Sequence, residues 1–365
     1  MTLIKGADIS SIIYQEYNGA KYIYNGKQDD IFNILKDNGF NLIRIRLWND
    51  PFSSDGKPYT DAPTDYHNYV KIASRAKKMG FKTMLCLHYS DAWVDPGKQV
   101  PPKKWMNLDL DSLTKEIYSY TKNVLLSLKE LALLPDYVAV GNEITNGLLW
   151  PIGKIPNFKN ISLLVNSGLQ AVEDVSKDIK TMIHLDNGGN VKMYQNWFES
   201  YFKEGGKDFD IIGLSYYPLW HGHLSDLKAN LENLTDLYNK EMMIVETSYP
   251  FTTKDYPEYE NLKLEERKGS PLNEEIIKKC EYEISIKGQC EYTKDFIELL
   301  KSFENCLGFI WWEPDLIPVP NSSWATWEGI EYMHEKGPLG NEWANQCLFD
   351  FDGNALETLN IIKNA

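Results

Sequence analysis

The sequence has no long hydrophobic run and no surplus of positive charge. No apolar stretch approaches the roughly 18 residues of a membrane-spanning helix, and the opening residues, Met1 to Gly6, do not resemble a signal peptide. The formal net charge is −14, from 38 Lys and Arg against 52 Asp and Glu. Because phosphate binding needs a local excess of Lys and Arg, we expect neither nucleic acid nor an anionic membrane surface as a partner.

Cysteine is scarce and lacks metal-binding spacing. The five cysteines, at positions 86, 280, 290, 306 and 347, form no Cys-x-x-Cys pair and have no histidine at zinc-ligand distance. Cys280 and Cys290 could pair across a loop, with two free thiols as the alternative. His221-Gly-His223 could suggest a metal pair, but without a nearby carboxylate or Cys spacing we interpret it as loop and expect no metal.

What the chain does have is length and aromatic rings. Its 365 residues, 43% hydrophobic, can build one large barrel or two modest domains. Its 11 Trp and 22 Tyr are more than a core requires. We find no internal repeat of roughly 20 to 50 residues, which argues against a solenoid.

Eight short β-type runs alternate with helical patterns, which predicts a (β/α)8 TIM barrel forming one domain over residues 1–365. A doubly wound sheet is the alternative, but it would usually show a glycine-rich phosphate loop after an early strand, and none is present. The predicted strands are Lys5–Ile9, Leu42–Leu47, Lys82–Leu87, Tyr137–Val140, Thr181–His184, Ile211–Leu214, Met242–Val245 and Leu307–Trp311.

Two intervening helices show their ends in the sequence. Apolar residues at helical spacing precede Gly39 and Gly80, each followed by Phe, so both glycines are predicted C-caps that lead into the next strand. Residues 249–290 break the rhythm and are predicted to form a long loop after strand seven. Such a loop usually shapes the substrate site of a barrel, and a peripheral insertion without a role is the alternative.

Two glutamates end apolar strands, in Tyr137-Val-Ala-Val-Gly-Asn-Glu143 and in Met242-Met-Ile-Val-Glu246. A single Glu after a strand is usually a helix-cap partner or a surface residue. Two of them, on strands four and seven of one barrel, face each other across its mouth. This arrangement can bring them to the separation of about 5 Å that a retaining glycosidase requires.

Other polar and aromatic residues follow the predicted strand ends and become candidates for substrate binding. Asn142 can bond a sugar 2-hydroxyl, Tyr217 can orient Glu246, and Arg46 can keep Glu246 ionised, although Arg44 and Arg46 could equally form a salt bridge that supports the barrel. A pyranose stacks its C–H face on indole rings, while core or rim packing is the other use of tryptophan. The remaining candidates are Trp48, His88, Asp91, Trp93, Trp312, Trp324 and Trp327.

Several stretches together resemble glycoside hydrolase family 53, the endo-β-1,4-galactanases, over nearly the whole chain. They are Gly6-Ala-Asp-Ile-Ser-Ser, Arg44-Ile-Arg-Leu-Trp-Asn-Asp-Pro, His88-Tyr-Ser-Asp-Ala-Trp-Val-Asp-Pro-Gly, Val140-Gly-Asn-Glu-Ile-Thr-Asn-Gly, Gly213-Leu-Ser-Tyr-Tyr-Pro, Val245-Glu-Thr-Ser-Tyr-Pro, Trp312-Glu-Pro and Trp343-Ala-Asn-Gln-Cys-Leu-Phe-Asp-Phe-Asp-Gly-Asn-Ala-Leu.

The resemblance implies cleavage of β-1,4-galactan, in pectic side chains and type I arabinogalactan, with retention at the anomeric carbon. Glu143 would be the acid/base and Glu246 the nucleophile. It also implies a secreted or cell-surface enzyme, and we expect a monomer. Some bacterial relatives carry calcium in the loop after strand seven, but residues 249–290 have no Asp-rich cluster, and no other cofactor is implied.

Two alternatives to the galactanase hypothesis remain from the sequence. A hydrolase of mannan, glucan or xylan from the same clan would share the catalytic pair and differ in its loops. A catalytically silent barrel would hold glycan in the tryptophan cleft without cleaving it. The presence of both glutamates counts against the silent barrel.

Overall fold

Eight parallel strands close into a barrel in the computed structural model, which describes residues 3–365 and leaves Met1 and Thr2 outside the described residues. Each strand pairs with its neighbours in chain order, and the last pairs with the first. The eight predicted strands are therefore confirmed, with ends that move by one or two residues. They are β1 (Ile4–Asp8), β2 (Leu42–Leu47), β3 (Lys82–Leu87), β4 (Tyr137–Val140), β5 (Lys180–Leu185), β6 (Ile211–Ser215), β7 (Glu241–Thr247) and β8 (Cys306–Trp312).

Helices connect the strands and surround the barrel. No helix within residues 3–365 is both long enough and apolar enough to cross a membrane. Two short hairpins, Tyr22–Tyr24 with Lys27–Asp29 and Gly147–Leu148 with Gly153–Lys154, stand outside the barrel. The helices are α1 (Ile12–Tyr17), α2 (Ile31–Asp37), α3 (Tyr66–Lys78), α4 (Leu110–Glu130), α5 (Phe158–Val175), α6 (Val191–Lys203), α7 (Leu224–Tyr238), α8 (Glu274–Lys279), α9 (Ile286–Lys301), α10 (Trp327–Met333) and α11 (Thr358–Asn364).

Local sequence explains where α2 and α3 begin and end. Asp30 and Asp65 cap their N-termini by accepting backbone N–H bonds from the first turn. At the other ends Gly39 and Gly80 adopt φ of +82° and +74°, a conformation that favours glycine. The next residue in each case, Phe, donates its N–H back into the last helical turn. The two predicted C-caps are confirmed.

The core has two main layers, one between the barrel and its helices and one inside the barrel, and a small third cluster packs around Tyr59 and Tyr332. Side chains alternate between these layers because successive residues of a strand point to opposite faces. Leu42 of β2 lies in the inner layer, so Arg44 and Arg46 point inward too, above it and toward the mouth. The inner layer contains Ile4, Leu42, Met84, Cys86, Tyr137, Ala139, Met182, Ile211, Met243, Val245, Leu307 and Ile310.

The long connection after β7 is shorter than predicted and partly helical. It contains α8, and α9 already begins at Ile286, so the predicted loop over residues 249–290 was wrong at its C-terminal end. Helical periodicity in α9 was hidden by the charged and polar residues on its exposed face. Cys290 lies on α9 and Cys280 directly after α8, and both are free thiols.

Gly308 allows β1 and β8 to close the barrel. It has φ of +145°, and a Cβ built there would lie 2.0 Å from the carbonyl oxygen of Ile4. We expect Gly308→Ala to lower the free energy of unfolding by at least about 3 kcal/mol, since backbone atoms cannot move aside without opening the seam. Gly205→Ala is the control, because Gly205 has φ of +83° and nothing within 4 Å of the added Cβ.

For Gly205→Ala we expect a loss of only about 1 kcal/mol from backbone strain. Urea denaturation of both variants measures the difference. Equal losses would contradict the assignment of the cost to the barrel seam.

Candidate active site

The two glutamates lie close together at the mouth of the barrel. Glu246 belongs to β7, and Glu143 follows β4 after a tight turn in which Gly141 and Glu143 have φ of +87° and +45°. A left-handed conformation is costly for a glutamate. A carboxylate oxygen of Glu143 lies within 4.8 Å of one of Glu246. This separation suits a retaining glycosidase, which needs about 5 Å between its carboxyl groups.

Arg44 is the positive charge next to Glu246. Its guanidinium lies 2.8 Å from Glu246 Oε1 and 2.8 Å from Asp8 Oδ2, and it donates to Asn142 Oδ1 at 2.7 Å. On the other side, Tyr217 Oη donates to Glu246 Oε2 at 3.0 Å. Both oxygens of Glu246 are thereby held in place, as expected for a carboxylate that must attack along one direction.

Arg46 does not contact Glu246, so its predicted role in ionising that carboxylate was wrong. Arg46 forms ion pairs with Glu313 and, at 3.4 Å, with Asp8, and its guanidinium lies 4.3 Å from the ring of Trp93. Two residues along a strand span roughly 6.6 Å. Arg46 therefore lies about that distance farther along β2 toward the cleft than Arg44. At this height its neighbour is Glu313, after β8, whereas Arg44 meets Glu246 of β7.

The pKa values of the two glutamates are raised to different extents. Burial and the negative charge of Glu246 hold the pKa of Glu143 well above its ordinary value. Burial also raises the pKa of Glu246, while Arg44 and the hydrogen bond from Tyr217 oppose that rise. Between the two pKa values Glu143 is protonated and Glu246 ionised, which is the division that an acid and a nucleophile require.

A cleft of about 410 Å³ opens above the two glutamates. Indole rings form much of its wall: Trp312 packs edge-on against Trp343 at 4.6 Å between ring centroids and lies 6.0 Å from Trp93. Lys268, from the connection after β7, completes the wall beside Trp324. Predicted site residues that line the cleft are Arg46, His88, Trp93, Asn142, Glu143, Tyr217, Glu246, Trp312 and Trp324.

Three predicted substrate-binding residues lie outside the cleft lining. Trp48 is fully buried and donates its indole N–H to His88 Nδ1 at 3.1 Å, so it supports His88 from behind. Asp91 is fully buried and accepts backbone N–H bonds from Asp50 and Lys103, so it holds the loop after β3. Trp327 is half exposed at the start of α10. Burial keeps Trp48 and Asp91 away from the cleft, because position after a strand does not set side-chain direction. Substrate binding by Trp327 stays a prediction.

Other residues at the site were missed as candidates. Asp8, at the end of β1, bridges Arg44 and Arg46. Glu313 follows β8 and pairs with Arg46. His184 interrupts the apolar run Met182-Ile183 of β5, and this buried imidazole was the available signal. Trp343 does not follow a strand directly, so its position in the cleft could not be predicted from the strand ends.

The active site contains one group of side chains that could ligate a metal. Within residues 3–365 the one group of His, Cys, Asp and Glu side chains close enough to ligate an ion is Glu143, His184 and Glu246. Both ring nitrogens of His184 already have hydrogen-bond partners, and Glu246 is held by Arg44. In the connection after β7, the Lys268 ammonium pairs with Glu342 at 2.8 Å.

Comparison with known proteins finds relatives that match nearly the whole chain. An endo-beta-1,4-galactanase of Bacillus subtilis (strain 168) is 34% identical over 99% of this chain and 86% of its own. An arabinogalactan endo-beta-1,4-galactanase A of Aspergillus niger is 33% identical over 99% of this chain and 94% of its own. Similarity of this extent requires the same fold.

A solved structure and a family model agree with those relatives. The GH53 catalytic domain of Ignisphaera aggregans superposes with a TM-score of 0.88 at 35% identity, covering 99% of this chain and 95% of the other. The model named "Glycosyl hydrolase family 53" matches residues 4–362. With both glutamates at the mouth of a closed (β/α)8 barrel, the chain belongs to glycosyl hydrolase family 53.

Proposed function

We propose that this protein is a retaining endo-hydrolase of β-1,4-galactan. The observation that carries the proposal is the pair of buried carboxyl groups within 4.8 Å at the mouth of the barrel. The relatives from Bacillus subtilis and Aspergillus niger are named endo-beta-1,4-galactanases, and this supports galactan as the substrate. The catalytic step needs only carboxyl groups and water, so no cofactor is part of the proposal.

In the first step Glu246 attacks the anomeric carbon of the sugar above it. Arg44 and Tyr217 hold the carboxylate so that one oxygen lies toward the cleft. The bond from the anomeric carbon to the leaving oxygen breaks, and Glu143 transfers its proton to that oxygen. The product is a glycosyl ester on Glu246, and the shortened chain departs.

In the second step water replaces the departed chain. Glu143, now ionised, removes a proton from this water, and the resulting hydroxyl attacks the anomeric carbon. The ester bond breaks and Glu246 recovers its negative charge. Because each step inverts the anomeric carbon, the two together retain its configuration.

The aromatic wall supports a polysaccharide substrate. Each galactose offers an apolar C–H face that can stack on an indole without desolvating its hydroxyls. Trp93, Trp312, Trp324 and Trp343 offer such rings along a cleft that is open to solvent. A long polymer can lie across this cleft and be cut internally. Since such a polymer cannot cross a membrane, we infer that the enzyme acts outside the cell.

Incubation with galactan, mannan, xylan and carboxymethylcellulose tests the substrate. We expect reducing ends from galactan and a rapid fall in its viscosity, which indicates internal cleavage. Glu143→Gln, which keeps the shape of the side chain but cannot donate a carboxyl proton, is the matched control and should be inactive on galactan. Release of reducing ends from another polymer, with none from galactan, would overturn the substrate assignment.

The same experiment addresses a silent glycan-binding barrel. Such a protein would retard galactan in affinity electrophoresis yet release no reducing ends at any pH. Binding without hydrolysis would therefore contradict the proposed activity and leave the fold and family untouched.

A further inference from the structure

We propose that Gln99 is a positioning residue for the proposed hydrolysis: its buried side-chain amide holds the backbone turn that points the Glu143 carboxyl at the leaving oxygen. The inference rests on the proposed function, since it concerns the acid of that reaction. Gln99 lies in the loop after β3 and does not line the cleft, so it acts on the substrate only through Glu143.

The turn that carries Glu143 has an unfavourable backbone conformation. Gly141 has φ of +87°, and Glu143 has φ of +45° with ψ of +51°, which is the left-handed region. A residue with a Cβ stays in this region only where surrounding contacts hold it there. The backbone at Glu143 sets the direction of its side chain, so relaxation of the turn would move the carboxyl away from the reacting atoms.

The Gln99 amide supplies such contacts. Its Nε2 donates to the backbone oxygens of Asn142 at 2.9 Å, of Asp95 at 3.2 Å and of Glu143 at 3.3 Å. All three acceptors are carbonyl oxygens, so the amide nitrogen and not the amide oxygen must face them. Gln99 is 2% exposed, so water cannot take over when this donor is lost.

The loop that carries Gln99 is itself fixed against the turn. Directly before Gln99, the backbones of Asp95 and Lys98 exchange hydrogen bonds of 2.9 and 3.0 Å. From the other side, the Asn146 amide donates to the backbone oxygen of Pro96 at 2.9 Å. The Gln99 side chain therefore meets the turn from a loop whose position is already set.

His184 holds the same peptide at its other end. The backbone N–H of Glu143 donates to His184 Nδ1 at 3.4 Å, while its C=O accepts from Gln99. Loss of Gln99 leaves only the longer of these two contacts. Glu246 on β7 is held by Arg44 instead, so a change at Gln99 should impair the acid and spare the nucleophile.

Gln99→Met tests this expectation, because methionine has a similar length and no donor. With galactan, kcat/KM should fall roughly tenfold to hundredfold, since a displaced carboxyl protonates the leaving oxygen poorly. A dinitrophenyl β-galactobioside has a leaving group that needs no proton. Its kcat/KM reports formation of the ester alone and should stay within about a factor of two of the parental value.

The second step gives an independent signature in the same variant. Glu143 also removes the proton from the attacking water, so the ester on Glu246 should be hydrolysed slowly in Gln99→Met. With the dinitrophenyl substrate, kcat should therefore fall although kcat/KM does not. Stopped-flow absorbance should show a burst of dinitrophenolate before the slower steady state. A role in folding alone would not separate kcat from kcat/KM in this way.

Gln289→Met is the matched control. Gln289 on α9 is fully buried, and its Nε2 likewise donates to backbone oxygens, of Tyr249 at 2.7 Å and of Cys347 at 3.1 Å. It contacts neither Glu143 nor the turn after β4. We expect a comparable loss of stability in urea denaturation, with the parental ratio of kcat/KM between galactan and the dinitrophenyl substrate.

Gln99→Asn keeps the test open if Gln99→Met folds poorly. Asparagine retains the amide and fits the space, but it is one methylene shorter, so its N–H groups end roughly 1.5 Å short of the carbonyl oxygens. The ratio of kcat/KM between galactan and the dinitrophenyl substrate should fall in this variant as well. A parental ratio in Gln99→Asn would contradict the positioning role.

The outcomes distinguish this inference from the proposed function. If the parent protein hydrolyses galactan and Gln99→Met loses the same factor on both substrates, Gln99 supports only the fold, and its positioning role is overturned while the function stands. If the parent cleaves another polymer and not galactan, the substrate is wrong. The same ratio, measured with that polymer and the dinitrophenyl glycoside of its disaccharide, then decides the role of Gln99. A parent without hydrolytic activity overturns both.

Discussion

Glu246→Ala is expected to abolish turnover of β-1,4-galactan, and added azide is expected to restore cleavage of an activated substrate with an α-glycosyl azide as the product. The loss should be at least about 10⁴-fold in kcat, since no other group can form the glycosyl ester. Alanine leaves a space below the sugar where azide enters and attacks the anomeric carbon. This single attack inverts the configuration, and the product is identified by NMR.

Glu143→Ala provides the matched comparison, because its nucleophile is intact. With an activated leaving group, Glu246 still forms the ester, and azide then attacks from the side of the missing Glu143. Two inversions give a β-glycosyl azide. If Glu246→Ala gave the β-azide and Glu143→Ala the α-azide, the roles of Glu143 and Glu246 would have to be exchanged.

Arg44→Met is expected to have the second large effect, on both stability and activity. Arg44 is buried and holds Glu246 and Asp8 with ion pairs of 2.8 Å each. Its removal leaves the buried Glu246 carboxylate without a counter-charge and Asp8 with Arg46 alone, which costs about 3–5 kcal/mol of unfolding free energy at neutral pH. Urea denaturation measures this loss, and kcat should fall with it because Glu246 loses an anchor.

The pH dependence of Arg44→Met follows from the pKa of Glu246. Arg44 lowers this pKa against the effect of burial, so its removal should move the acidic limb of kcat/KM upward by about one to three pH units. Stability changes in a defined direction as well. In Arg44→Met, Glu246 has a higher pKa in the folded protein than in the unfolded chain, so its ionisation lowers the stability of the variant at neutral pH. This loss of stability disappears as the pH falls to about 4, where Glu246 is protonated in both states.

Arg46→Met is the matched control for this prediction. Arg46 is as buried as Arg44, and its loss leaves Glu313 and Asp8 without it. We therefore expect a comparable loss of stability but a much smaller shift of the acidic limb, since Arg46 does not contact Glu246. If the acidic limb of kcat/KM moved more in Arg46→Met than in Arg44→Met, Arg46 would be the residue that keeps Glu246 ionised.

The barrel was predictable because its signals are local. A short β-type run of four to seven residues marks each strand of the buried parallel sheet, and a glycine such as Gly39 or Gly80 marks a helix end by its backbone conformation. The same runs locate Glu143 and Glu246 at strand ends. Alternating strands and helices then leave few ways to close the sheet, and the carboxyl ends of all strands must meet at one mouth.

Side-chain partners were less predictable than strand ends. Arg44 and Arg46 share a face of β2, and only the stagger of β1, β7 and β8 around the closed barrel assigns one to Glu246 and the other to Glu313. Asp91 follows β3 much as Glu143 follows β4, yet Asp91 turns back to bind Asp50 and Lys103. Such differences arise from loop conformation, which depends on contacts distant in sequence.

By itself, then, the sequence determined the eight strands, the barrel that they form and the two glutamates at its mouth, because hydrophobic periodicity and backbone preference act over a few neighbouring residues. The tertiary structure alone decided that Arg44 is the partner of Glu246, that His184 bonds both Ser215 and the backbone N–H of Glu143, and that Trp343 joins the cleft wall. Each of these contacts joins segments far apart in the chain, and only closure of the barrel sets their distances.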